Sequence, residues 1–97
     1  MIKHIVCFKL QEPSPELCEK TKKLLLSMEG KVPQVKQIEV GVDFLHSPRS
    51  YDLILQVWLE DAQALDDYQK DPYHVDVVKT HMHAVAKASV AIDYWLD

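Results

Sequence analysis

The chain has 97 residues, 47% of them hydrophobic and 27% charged, with a formal net charge of −4. That is one domain's worth of chain, long enough for a single marginal core. The acidic balance argues against a nucleic-acid partner, which needs a surplus of Lys and Arg against phosphate, and no stretch approaches the roughly 18 apolar residues of a membrane span.

Ile2 to Leu10 is rich in β-branched and aromatic residues and reads as a strand. Its apolar stretch is short and interrupted by charge, so it has the form of neither a signal peptide nor an anchor. The expected location is cytoplasmic. Pro13-Ser14-Pro15 breaks the strand, with Ser14 placed to cap a helix and Pro15 at its first position. Leu17, Thr21, Leu24, Leu25 and Met28 recur at helical spacing, and Gly30 is the expected stop. The Lys20, Lys22, Lys23 run is balanced by Glu16, Glu19 and Glu29 and reads as a solvated helix face. Cys7 and Cys18 form no ligand-spaced set and are expected to be reduced thiols.

Val35 to Phe44 alternates, with Ile38, Val40, Val42 and Phe44 on one side, and is predicted to be the second strand. A polar turn around Pro48 leads to the third, Tyr51 to Leu59. Its Leu53, Leu55, Val57 and Leu59 share one face; Ile54, Gln56 and Trp58 share the other. Asp61 can cap a helix through Lys70, with Leu65 and Tyr68 inward, and Asp71-Pro72 ends it. A following helix is predicted to bury Val75, Val78, Met82, Val85 and Ala86 on one stripe, and Ser89 to Leu96 is the last strand.

The order β-α-β-β-α-α-β predicts an α+β, ferredoxin-like domain spanning residues 1–97: a four-stranded antiparallel sheet with helices on one face. The other face would expose Ile5, Cys7, Ile54 and Trp58. A patch of that kind is most simply covered by the same face of a second copy, giving a homodimer. Glu39, Asp52 and Gln56 are candidates for polar pairing across it.

Five histidines are candidates for acid–base work near neutral pH. His46 lies in a polar loop. His81 and His83 point in different directions on a helix, and no carboxylate or Cys joins them at ligand spacing, so no metal site is expected. His4 alternates with Val6 and Phe8 on the first strand, on the row expected to face the helices; a hydrogen-bonded core histidine is its plain structural reading. His74 begins the last helix, where the helix N-terminus favours the neutral imidazole a general base requires. Tyr68 lies six residues earlier and can fold back towards it across the Pro72 turn. A core Tyr and a helix-capping His are the alternative. Only Gly30 and Gly41 occur, so no phosphate-binding loop is present, and nucleotide chemistry is not expected.

The opening Ile2-Lys3-His4-Ile5-Val6, the segment Asp67-Tyr68 before Asp71-Pro72-Tyr73-His74-Val75, and the closing Ile92-Asp93-Tyr94 resemble the stress-responsive A/B barrel (Dabb) family over nearly the whole chain. The resemblance implies a ferredoxin-like fold paired into a dimeric α/β barrel. A plant member of that family is a polyketide cyclase, working by intramolecular aldol condensation with a His and a Tyr; these match His74 and Tyr68, and a pocket histidine matches His4. On that basis the pocket lies between sheet and helices, lined by Val6, Phe8, Leu25, Met28, Leu53, Leu55 and Val78. Leu53 stands where the cyclase has a further histidine, and Asp76-Val77 where it has a glycine-containing stretch, which implies a bulkier, drier pocket. Two functions follow as expectations. One is a lyase or cyclase needing no cofactor, with His74 as base, Tyr68 as enolate stabiliser and His4 as orienter. The other is a non-catalytic small-ligand-binding or protective dimer.

Overall fold

In the computed structural model, which describes residues 1–96, the N-terminal alternation forms β1, Ile2–Leu10. Ser14 then has an extended backbone, and its hydroxyl accepts from the Leu17 N–H at 3.1 Å, opening α1 at Pro15–Leu26. The helix stops at Leu26, with Ser27 as its cap, four residues before the glycine expected to end it. Gly30 instead serves the tight turn that follows, where its φ of 85° lies in the left-handed region. Met28, past the helix end, is still fully buried.

β2 is Gln37–Val42, shorter than the alternation predicted, and β3 is Leu53–Leu59. Phe44 does not continue the buried row and is 88% exposed. The β2–β3 register ends at Val42 opposite Leu53, and the chain turns away through His46 at φ 53°. Asp61 caps α2, Ala62–Lys70, by accepting from the Ala64 N–H at 2.8 Å, as its position predicted.

The last helical stretch departs from expectation. His74–Lys79 is a π-helical segment, and α3 is only Thr80–Val85. The wider turn places His74, Val78 and Met82, four apart, against the core, while Val75 is turned outwards. The predicted stripe beginning at Val75 assumed α-helical periodicity throughout. β4 begins directly, at Ala86, and runs to Trp95.

The strands are all antiparallel in the order β2-β3-β1-β4, which is the ferredoxin-like topology. Ile2, Val40, Leu53, Leu55, Val57 and Leu59 meet Leu25, Met28, Tyr68, Val78 and Met82 in one core between sheet and helices. Leu55 lies opposite Val6, and Val57 opposite His4, so the His4, Val6, Phe8 row faces the helices.

The other face carries Ile5 and Cys7 with Ile54 and Trp58, extended across β4 by Val90, Ile92 and Tyr94. Val90 and Ile92 are 51% and 66% exposed, so the patch is wider than the third strand alone suggested. Its polar residues are engaged within the chain. Gln56 Nε2 donates to Glu39 Oε2 at 3.1 Å, and the Lys3 ammonium lies 4.5 Å over the Trp58 ring. Asp52 is committed to the backbone, accepting from the Leu10 N–H at 2.8 Å. No helix among the described residues is long and apolar enough to cross a membrane.

Candidate functional site

Three aromatic side chains converge in the core from three elements. β1 supplies His4, α2 supplies Tyr68, and the first residue of the π-helical segment is His74. The Tyr68 ring is stacked on His74, with centroids 4.4 Å apart and planes 29° apart, and meets His4 edge-on at 5.6 Å. Tyr68 is fully buried, and His4 and His74 are only 6% and 7% exposed. The fold thus brings together the three residues singled out in the sequence as chemical candidates.

The turn between α2 and the π-helical segment is held by Asp71, whose carboxylate accepts from the backbone N–H groups of Tyr73 and His74 at 2.9 and 3.3 Å. This is what doubles the chain back so that residues 68 and 74 stack. The sequence marks Asp71 as a helix end and as part of the family segment, without this bonding role.

A fourth participant, Asp93, appeared in the sequence as part of the closing Ile92-Asp93-Tyr94 segment without a role. It lies directly opposite His4 in the β1–β4 register, and its Oδ1 is 2.5 Å from His4 Nδ1. An ionised carboxylate only accepts, so Nδ1 carries the proton, and the pairing fixes the imidazole's orientation. The signal was available: Asp93 is the acidic residue of the strand and lies on its helix-side row. It required the register to be read. The Asp93 side chain is 38% exposed, because β4 is open to solvent along almost its whole length.

Burial sets the protonation states. His74 is lowered from 6.5 to about 4, first by desolvation and then by the positive charge of Lys79; His4 lowers it slightly further, and the Gln69 carbonyl and Asp71 oppose the shift by smaller amounts. Lys79 is anchored nearby, its ammonium donating to that same Gln69 carbonyl at 3.1 Å. Desolvation rather than the helix N-terminus is therefore the main reason the imidazole is neutral. Among the described residues, its Nδ1 is buried without a hydrogen-bond partner. Tyr68 is pushed well above the ordinary phenol range, first by burial and then by the Asp93 charge, so its hydroxyl stays protonated. That hydroxyl donates to the Met28 thioether at 3.7 Å.

The residues expected to line a pocket divide into two groups. Leu25, Met28, Leu53, Leu55 and Val78 are closed core, none more than 2% exposed, whereas Val6 and Phe8 are half-buried. Concavities among the described residues include these two. One of about 550 Å³ lies between the start of α1 and the β2–β3 connection, against Cys18, Val42 and Phe44. The other, a shallow groove of about 640 Å³, runs between α1 and the π-helical segment, over Leu24, Ser27, Tyr73 and Val77. None of His4, Tyr68 or His74 lines either one. Among the described residues, no three of His, Cys, Asp and Glu converge as a metal site would require.

The model of the stress responsive A/B barrel domain family, Dabb, matches residues 2–96. Among solved structures, a dimeric protein of unknown function and ferredoxin-like fold from Bacteroides fragilis is 22% identical, with a TM-score of 0.82 over 98% of this chain and 95% of that one. A Dabb family protein with a ferredoxin-like fold from Mesorhizobium loti is 25% identical, with a TM-score of 0.75 and the same coverage. A hydroxynitrile lyase from Passiflora edulis is 13% identical, with a TM-score of 0.82 over 99% of this chain and 93% of that one. No curated protein sequence matches significantly. Several of the similar structures are described as dimeric, which supports a homodimer here.

Proposed function

The chain belongs to the stress responsive A/B barrel family, and from the buried His–Tyr stack we propose that it is a cofactor-independent lyase or cyclase acting on a small enolisable carbonyl compound. The observation that carries this reading is the pairing of a neutral imidazole that has an unpartnered ring nitrogen with a phenol that keeps its proton. The first can take a proton, and the second can donate a hydrogen bond to the oxyanion that forms as the proton leaves. His4, held by Asp93, packs against the phenol ring and orients it. Val6, Phe8, Leu25, Met28, Leu53, Leu55 and Val78 supply the apolar walls.

The strength of the base narrows the substrate. An imidazole with a proton affinity near pH 4 is deprotonated at neutral pH but is a weak base, so it suits a proton that is already acidic. That points to a C–H activated by two carbonyl groups, or to the hydroxyl of an adduct whose cleavage regenerates a carbonyl. The fold shared with a hydroxynitrile lyase is compatible with the second chemistry. His74→Gln is expected to lower kcat on any such substrate by about 100-fold or more while the variant stays folded. Undiminished turnover would remove the general-base role.

One observation favours a second reading, a non-catalytic small-ligand-binding or protective dimer. Tyr68 is fully enclosed, and its hydroxyl is already engaged by Met28. In that case His74→Gln alters stability only, and no enolisable compound is turned over.

In either reading the homodimer forms through Ile5, Cys7, Ile54 and Trp58, joined by Val90 and Ile92. Ile92 is exposed in the single chain, so Ile92→Glu spares the core and sets two like charges into the paired faces. Sedimentation is expected to show a mass of one chain for Ile92→Glu and of two for the parent. A variant that remains dimeric would place the contact elsewhere.

A further inference from the structure

Tyr68 and His74 are enclosed, so the catalytic reading needs a way in, and the direction of the Tyr68 hydroxyl indicates where it lies. The ring meets His4 on the sheet at a steep interplanar angle of 66°, while the hydroxyl points to Met28, just beyond the end of α1. A carbonyl that takes this hydroxyl displaces the Met28 thioether, a weak acceptor on a flexible side chain. It therefore arrives from the α1 side. The groove between α1 and the π-helical segment lies on that side, and Ser27 and Tyr73 line it. Each is the chain neighbour of a cluster residue, Ser27 of Met28 and Tyr73 of His74.

These two residues are bonded across the seam, with the Tyr73 hydroxyl 2.5 Å from Ser27 Oγ. Ser27 Oγ already donates its one proton to the Leu24 carbonyl, so Tyr73 is the donor. Lys31 adds a second hold from the same side, its ammonium 5.3 Å over the Tyr73 ring. Further along the seam, Thr21 Oγ1 and His81 Nε2 lie 2.9 Å apart and tie α1 to α3. The seam is thus pinned at two places, and the pin beside the cluster is the Tyr73–Ser27 bond.

Resting on the catalytic reading of His74 and Tyr68, we infer that Tyr73 is a gate: its hydrogen bond to Ser27 closes the α1 seam over the cluster, and release of that bond admits the substrate carbonyl to the Tyr68 hydroxyl. The π-helical segment begins directly after Tyr73, and π segments of this kind occur frequently at functional sites. Tyr73→Phe keeps the ring and its packing and removes only the bond; Ser27→Ala removes it from the other side.

The test uses brief exposure to diethyl pyrocarbonate, which acylates neutral accessible imidazoles, read by peptide mass spectrometry and needing no substrate. In the parent, His74 is expected to react far more slowly than the exposed His46. Tyr73→Phe and Ser27→Ala should each speed labelling of His74 by about tenfold, the change that loss of one hydrogen bond makes in an opening equilibrium. The double variant should go no further, and His46 labelling should be unchanged. Unaltered His74 labelling in both variants would overturn the gate, as would acceleration by Trp95→Ala on the open strand β4 instead. Because turnover is not measured, a gate that opens while His74→Gln still turns over substrate would refute the general base alone.

Discussion

Tyr68→Ala is expected to destabilise the domain by about 3–5 kcal/mol, the range for removing a fully buried aromatic ring. The ring is enclosed on every side, stacked on His74, edge-on to His4 and in the same core as Leu25, Met28 and Val78. Its removal would leave two imidazoles facing a cavity, and a small domain has a total stability of only about 5–15 kcal/mol. Tyr68→Phe keeps the ring and gives up only the contact with the Met28 thioether, a weak acceptor, so a cost of about 1 kcal/mol or less is expected. Urea unfolding of the two variants separates packing from polarity. On the enzymatic reading, Tyr68→Phe also loses about 100-fold or more in kcat, because the developing oxyanion has lost its donor. A phenylalanine variant as unstable as the alanine variant would show that the hydroxyl holds the core together, and the ring would not then be free to serve chemistry.

The contrast between Phe44 and Ile92 shows why some features could be read from the sequence and others could not. Both are large apolar residues on alternating strands. Phe44 was expected to continue the alternating row of the second strand, but the ladder closes at Val42 and the side chain is left in solvent. Where a strand ends depends on its partner, and alternation alone carries no partner. Ile92 was visible as an apolar residue; that it extends the Ile5 row follows only from the β1–β4 register. Caps behaved differently. Ser14 and Asp61 satisfy N–H groups three residues ahead, a local interaction that the sequence contains in full. The candidate site lies between these cases. Tyr68 and His74 are six residues apart around a proline turn and could be paired on paper. Asp93 is 89 residues from His4, and only the sheet joins them. The π-helical segment was not legible because its wider turn gives no side-chain signature beyond the four-residue spacing of His74, Val78 and Met82.

His74 should also make the protein acid-sensitive within a defined window. Its proton affinity falls from pH 6.5 in the unfolded chain to about 4 in the folded one, because burial and Lys79 oppose a charged ring. Between those values the unfolded chain binds a proton that the folded protein does not. The stability associated with this residue is therefore complete above about pH 6.5, declines as the pH falls towards 4, and levels off below that. At about 1.4 kcal/mol for each tenfold change in proton affinity, the whole decline is worth about 3 kcal/mol. Urea unfolding of the parent and of His74→Gln at intervals from pH 7.5 to 4 should give curves whose difference changes by about that amount, with the parent losing more. Parallel curves would mean that the imidazole gains a proton as readily folded as unfolded. The same quantity bears on function, since the energy that would be lost on charging the ring is what keeps it neutral beside Tyr68. Loss of the acid window would remove the physical basis for a neutral base in a dry site, and a window of the expected size would establish that the fold maintains one.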